Sequence, residues 1–448
     1  MEGVTLIESG TSRRHFAFLK QFESAKNDAK ADAVVLSTIE EVQSALSCKN
    51  SQSLSSASLA SYLLVLLQCW ELFPTTSDIA FTRPSIQFAL VPTLQLAATA
   101  KRPKEILLAY TVLGKIFQAQ DDEEQQQTSL LVLNTVRQHL EPGSVSSSTM
   151  KGKGKERSNA NTATHTDPLA LPKVTFALRS IISGVPSGPD IFPALYGPVS
   201  LLCHHTEEGI QRLALDALGK IQTYIELDES IASATWERTR GILSSYRKKK
   251  DGRAIASESL ARSLLRSIGR AMELKVVGVD TACEAAMDLH REHPSPGIAL
   301  ACLDLCIVMI KKHGGKDETL SMAKKATAEA CLQYKDSYST LLSGTKLLGM
   351  LSNVDTSDEP EIRAVWTLIK SHLMSRNANR KLLALSALEA FLPYSWHSAL
   401  NEATIKLDKT EMDSLMGMLG DRDESVRARV SDTVSYCIWE GVFISFFL

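Results

Sequence analysis

Residues 208–221 read EGIQRLALDALGKI, and the reading of this stretch decides the fold. A short polar start leads to a basic residue, Arg212, and then to an apolar stripe with small residues set into it. Ile210, Leu213, Ala214, Ala217, Leu218 and Ile221 recur three and four residues apart, so one side of a helix is apolar. Two further stretches share the same plan. Residues 377–391 read NANRKLLALSALEAF, and residues 423–434 read DESVRARVSDTV.

The last two stretches begin about 46 residues apart, inside the range of about 40 to 47 for HEAT and armadillo units. Ala214, Ala217, Ala384 and Ala387 supply the small side chains that let neighbouring helices approach in ridge-and-groove packing. One such unit cannot bury its apolar face alone, so the units must stack. The expected fold is all-α: an ARM/HEAT-like α–α superhelix, or solenoid, with a disordered insertion. Its long groove suits holding other proteins.

Working outward, Phe16, Leu19 and Phe22 recur at three-residue steps after Ser12, and Arg13, Arg14, Lys20 and Lys26 decorate the rest of that helix. Val34, Val35, Ile39, Val42 and Leu46 give a second amphipathic helix. The segment Leu59 to Leu72 is apolar nearly all round and is expected between neighbours. Pro74, Pro84, Pro92 and Pro103 punctuate a series of short helices after it. A helix pair, Ile106–Phe117 and Ser129–Leu140, is separated by an acidic, Gln-rich turn at Asp121–Glu124. Residues 143–167, rich in Ser, Lys and Gly, have almost nothing to bury and read as a disordered linker. The resulting organisation is 1–142, a first helical solenoid; 143–167, the linker; 168–245, further repeats; 246–256, a basic linker; and 257–448, the rest of the solenoid.

The net charge of −2 over 448 residues gives no global field toward nucleic acid, and none is expected as a partner. The 8 cysteines fit no regular framework and no signal peptide precedes them, so they read as reduced, mostly buried thiols of a cytosolic protein. No uncharged apolar run reaches the roughly 18 to 20 residues that span a bilayer.

Several local patterns carry no chemistry. His290-Arg291-Glu292-His293 lacks the spacing of a zinc-protease helix and reads as a helix end before Pro294. Cys302 and Cys306, four apart in an apolar run, read as core. Gly152-Lys153-Gly154-Lys155 lacks the strand context and spacing of a phosphate loop. Asp121–Glu124 lacks a calcium-loop pattern. No cofactor, metal or catalytic constellation is expected, and the chain reads as a binding scaffold, not an enzyme.

Four stretches, in order along the chain, resemble the trunk of the adaptins, the large subunits of adaptor protein complexes. They are Ser12–Lys30; Ala109-Tyr110-Thr111-Val112-Leu113-Gly114 with Asp121–Glu123 and Leu130–Leu140, which holds Asn134-Thr135; Ile191–Ile221; and Ser375–Asn379 with Met418–Arg427. The likeness is strongest to the gamma and epsilon class, with epsilon favoured. Residues 143–167 interrupt the trunk where the family is continuous helix. The family also has several hundred further residues, including a hinge and an ear. The chain stops at Phe446-Phe447-Leu448, part-way through a trunk, so the functions of hinge and ear are expected to be missing.

The resemblance implies a role in vesicle-mediated protein transport and cargo sorting. It implies as partners beta-class, medium and small adaptor subunits, an Arf-type small GTPase and cargo tails. Membrane attachment would be peripheral, at the Golgi, trans-Golgi network or endosomes. It further implies lipid headgroup contact near the N-terminus, for which Arg13, Arg14, Lys20 and Lys26 are the candidates. Where related trunks present a basic residue to the acidic-dileucine groove, this chain has Glu23, a reversed charge that would repel an acidic motif. The alternative is an armadillo/HEAT protein-binding scaffold unrelated to adaptins.

Overall fold

The structure, a computed structural model, describes residues 12–25, 28–47, 54–72, 85–141, 168–223, 229–247, 257–293, 295–314, 316–351, 360–397 and 409–439. These residues form 19 α-helices and two single-turn 3-10 segments, with no strand among them. The fold is all-α, as the helical periodicity requires. The chain divides into two compact units, Met1–Glu226 and Leu227–Leu448.

The first unit contains α1 (Ser12–Glu23), α2 (Asp28–Leu46), α3 (Ser56–Leu72), α4 (Leu90–Thr99), α5 (Pro103–Gln118), α6 (Asp122–Leu140), α7 (Ala170–Ile182), α8 (Phe192–Leu202) and α9 (Glu208–Gln222). Helices α1, α3, α5, α7 and α9 pack each against the next to make one layer. In the other layer α4, α6 and α8 do the same, and α2 rests on the 3-10 turn Gln87–Ala89 that leads into α4. This alternation is the packing of a helical repeat array: each helix meets its neighbours one and two places along the chain.

The second unit contains α10 (Glu229–Arg247), α11 (Glu258–Glu273), α12 (Val279–Glu292), α13 (Pro296–His313), α14 (Asp317–Gln333), α15 (Tyr338–Leu351), α16 (Pro360–Leu373), α17 (Ala378–His397), α18 (Lys409–Gly417) and α19 (Glu424–Trp439). Here α11, α13, α15, α17 and α19 form one layer and α12, α14 and α16 the other. The two repeat-like stretches at 377–391 and 423–434 therefore lie on α17 and α19, adjacent helices of one layer.

The core is built from the apolar stripes. Ala214, Ala217, Ala384 and Ala387 are all fully buried, as close helix approach requires. Helix α3 buries Leu59, Leu63, Leu66, Cys69 and Trp70, in keeping with its all-round apolar character. The tightest approach is at Gly344 on α15, where an added Cβ would collide with the Cys331 sulfur on α14.

Several expectations are corrected. The acidic run at Asp121–Glu124 is not a separate turn. It is the start of α6, with Asp121 as N-cap accepting a hydrogen bond from the Glu124 N–H at 2.9 Å. Three further carboxylates occupy the first turn, where the helix dipole favours negative charge. Pro92 lies inside the first turn of α4, where its missing N–H costs no intrahelical bond, and Pro103 opens α5. Pro74 and Pro84 lie outside the described residues. A helix absent from the sequence reading, α10, fills 229–247 and includes Tyr246 and Arg247 of the expected basic linker. The rest of that linker, and the whole of 143–167, lie outside the described residues.

Candidate functional site

Helix α1 carries the site residues expected from sequence, and the packing of α1 sorts them. Phe18 is its buried anchor at 3% exposure, with Leu19, Phe22 and His15 half-buried beside it. The Phe18 and Phe22 ring centroids lie 6.1 Å apart. Phe16, placed by the sequence reading in the apolar stripe, is instead 70% exposed. The true inward stripe is His15, Phe18, Leu19 and Phe22, spaced three, four and seven residues from its first member.

The outward side therefore presents Arg13, Phe16, Lys20 and Glu23, all exposed. Arg13 and Lys20, like Phe16 and Glu23, are seven residues apart and nearly eclipsed along the axis. Among the described residues neither Arg13 nor Lys20 has an ion-pair partner. Arg14 behaves differently. Its guanidinium sits 3.8 Å above the ring of Tyr62 on α3, a cation–π contact that ties α1 to the layer. Arg14 is thus held in packing, whereas Arg13 and Lys20 are open to a ligand. Lys26 lies outside the described residues. Glu23 shares the face with Lys20 and Phe16, and its side chain is exposed.

His15 faces α3. Burial lowers its pKa, with a hydrogen bond to Gln68 acting in the opposite sense. It is neutral at pH 7 and adds no charge to the face.

The opposite layer of this unit has its own accessible apolar groups. Val91 on α4, Leu130 and Leu131 on α6, and Leu201 on α8 are each more than half exposed. Successive helices of one layer thus each offer apolar side chains. Sequence periodicity gave no hint of their exposure, because each lies outside the inward stripe of its helix.

The other patterns resolve into structure. Helix α12 ends at Glu292, with His293 as its C-cap. Cys302 and Cys306 are both fully buried on α13. Among the described residues, no group of three or more His, Cys, Asp or Glu is arranged to hold a metal ion. No described helix is long and apolar enough to cross a membrane. One buried polar pair went unread: the Tyr110 hydroxyl on α5 lies 2.9 Å from His139 Nδ1 on α6. No protein-family profile matches the chain, and no curated protein matches it either.

Proposed function

We propose that this chain is a non-catalytic scaffold of the adaptin kind, acting as a large-subunit-like component in vesicle-mediated cargo sorting at Golgi or endosomal membranes. The observation that carries the reading is the outward face of α1. Arg13 and Lys20 flank the exposed Phe16 on the first described helix of a layered stack. Two cations around an aromatic side chain suit a surface that meets anionic headgroups: the charges attract phosphate and the ring enters the interface. The four collinear adaptin-like stretches support the same reading, as do the exposed apolar residues on α4, α6 and α8, which suit partner subunits. Beta-class, medium and small subunits, an Arf-type GTPase and cargo tails are the partners this reading calls for.

The test has two arms on the full chain. Affinity purification at native expression is expected to recover a small and a beta-class adaptor subunit; recovering neither would remove the adaptin reading. Sedimentation with phosphoinositide-containing vesicles tests the α1 face. Each basic residue near an anionic surface contributes about 1 kcal/mol, so reversing both Arg13 and Lys20 to Glu is expected to weaken binding about tenfold or more. Unchanged sedimentation would detach the function from this face.

One observation favours the second reading, a helical-repeat scaffold for a different client. Glu23 is an exposed carboxylate, and at that position the resemblance implies a base that an acidic-dileucine tail would need. Binding of an acidic-dileucine peptide, strengthened by Glu23→Lys, would return the weight to the adaptin reading. Recovery of a single unrelated client, with no adaptor subunit, would favour the second.

A further inference from the structure

Helix α1 is the first described helix of its layer and packs on α2 and α3. In a repeat array the outer face of an end helix has no neighbour and is expected to be polar. On α1 that face centres instead on Phe16, 70% exposed, with Arg13 before it and Lys20 after it. Residues 1–11 precede the helix and lie outside the described residues. Their sequence, MEGVTLIESGT, complements the face. Val4, Leu6 and Ile7 stand between two carboxylates, Glu2 and Glu8, as Phe16 stands between two cations. The segment holds no Lys or Arg, and Ser9-Gly10-Thr11 joins it to α1, with a glycine where the chain would turn back.

We propose that residues 2–8 fold back along α1 and cover its outward face, with Leu6 and Ile7 over Phe16, and with Glu8 and Glu2 paired to Arg13 and Lys20. The lengths agree. Arg13 and Lys20 are about 10 Å apart along the helix axis. Glu2 and Glu8 are up to about 20 Å apart in an extended chain. A chain that doubles back at Gly10 sets Glu8 beside Arg13 and Leu6 beside Phe16, with length to spare for Glu2 to reach Lys20. The tether is short, so closing it costs little entropy.

Exposed ion pairs contribute little each, so the apolar contact supplies the attachment and the charges set its register. The α1 face of a second copy is a poorer occupant, because two pairs of like cations would meet. Arg13, Phe16 and Lys20 are also the groups that the membrane reading uses, so the cover would compete with an anionic surface for them. That regulatory consequence rests on the membrane reading; the docking of residues 2–8 does not.

The experiment mixes isotope-labelled and unlabelled full-length chain, treats it with a carbodiimide, which joins a carboxylate directly to a contacting amine, and maps the peptides. The expected product is an amide between Lys20 and Glu2 or Glu8 within one chain. Leu6→Ser with Ile7→Ser keeps both carboxylates but removes the apolar contact, and should lower the yield about fivefold or more. No such amide, an amide only between differently labelled chains, or an undiminished yield in that variant would each overturn the proposal. Sedimentation with phosphoinositide-containing vesicles reads the consequence. The same variant should bind about threefold or more tightly than the wild-type chain. Equal binding by both would count against the cover. If neither chain binds vesicles, the membrane reading of α1 falls, and the cross-link by itself decides whether residues 2–8 dock.

Discussion

The seam between α5 and α6 and the seam between α17 and α19 both bury polar groups, and they solve the problem in opposite ways. In the first unit the pair is neutral. The Tyr110 hydroxyl and His139 Nδ1 meet at 2.9 Å, and both residues are buried. Burial pushes His139 down to about 4, the Lys173 charge on α7 acts the same way, and a hydrogen bond to the Ala97 backbone on α4 opposes. In the second unit the groups are ionic. Arg429 on α19 pairs with Glu389 on α17 and reaches Ser386 at 3.3 Å. The Thr433 hydroxyl donates to Glu389 at 2.6 Å, and Lys381 pairs with Asp421 just before α19. A neutral buried pair depends on the imidazole staying uncharged. An ionic ladder depends on both partners being present. The two seams should therefore fail under different stresses.

Acid gives the largest contrast. The folded-state pKa of His139 lies below the value of 6.5 for an unfolded histidine. The unfolded chain therefore binds the proton first, and the contribution to stability is complete above pH 6.5. It is lost as pH falls toward about 4. A shift of this size corresponds to up to about 3 kcal/mol. His290 in the second unit is shifted in the same direction by burial, with the Glu329 charge opposing. The ladder carboxylate Asp421, held below its ordinary range by the Lys381 hydrogen bond, contributes only to losses at lower pH. Hydrogen exchange on the full chain should thus show α5 and α6 opening between about pH 6.5 and 4.5, before α17 and α19. His139→Leu should flatten that pH dependence while costing about 1–2 kcal/mol at pH 7 for the Tyr110 hydroxyl left without its acceptor. Equal opening of both seams across this window would break the comparison.

Substitution at neutral pH should strain the ionic seam instead. Glu389→Ala leaves Arg429 and Thr433 without their shared acceptor. The Arg429 side chain is 38% exposed, so solvent softens the loss, and about 1–2 kcal/mol is expected by denaturant titration at pH 7. The cost should shrink as salt rises, because partly exposed charges are screened. A double change, with Arg429→Ala added, should cost less than the two single changes combined. Independent effects would mean that the ladder is geometry without coupling.

How far these features were legible in sequence depended on what masked the stripes. The long apolar runs of α3 and α13 declared themselves because nearly every residue is apolar. The α17 stretch did so through interleaved alanines, and the α19 stretch through Val426 and Val430, both buried. Helix α10 did not, since its buried side is Ala232, Thr235, Trp236, Thr239 and Ile242, a helical stripe with threonines at two inward places. Those hydroxyls are satisfied locally, Thr235 by Ile231 and Thr239 by Thr235 and Ser267, so burial costs little and polarity misleads. In α1 a count of three-residue steps from Phe16 drifted round the helix by about 60° per step, and a histidine at the true first position hid the stripe. Contacts between helices left no local trace at all. Tyr62 lies 48 residues beyond Arg14, and His139 lies 29 residues beyond Tyr110, so neither contact can be read from spacing along one helix.

The smallest effect separates the seam from the helix that carries it. Asp121 caps α6, accepting from the Glu124 N–H at 2.9 Å, more than four turns from His139 at the other end of the same helix. Asp121→Ala removes that acceptor but leaves Asp122, Glu123 and Glu124 in the first turn, so most of the favourable charge at the positive end of the helix survives. The expected cost is about 1 kcal/mol. Its signature should be faster exchange in the first turn of α6, with the Tyr110–His139 seam and its acid response unchanged. If the cap change also moved the pH at which the seam opens, the two ends of α6 would be one cooperative unit. The neutral pair would then report on the whole helix and not on its own burial.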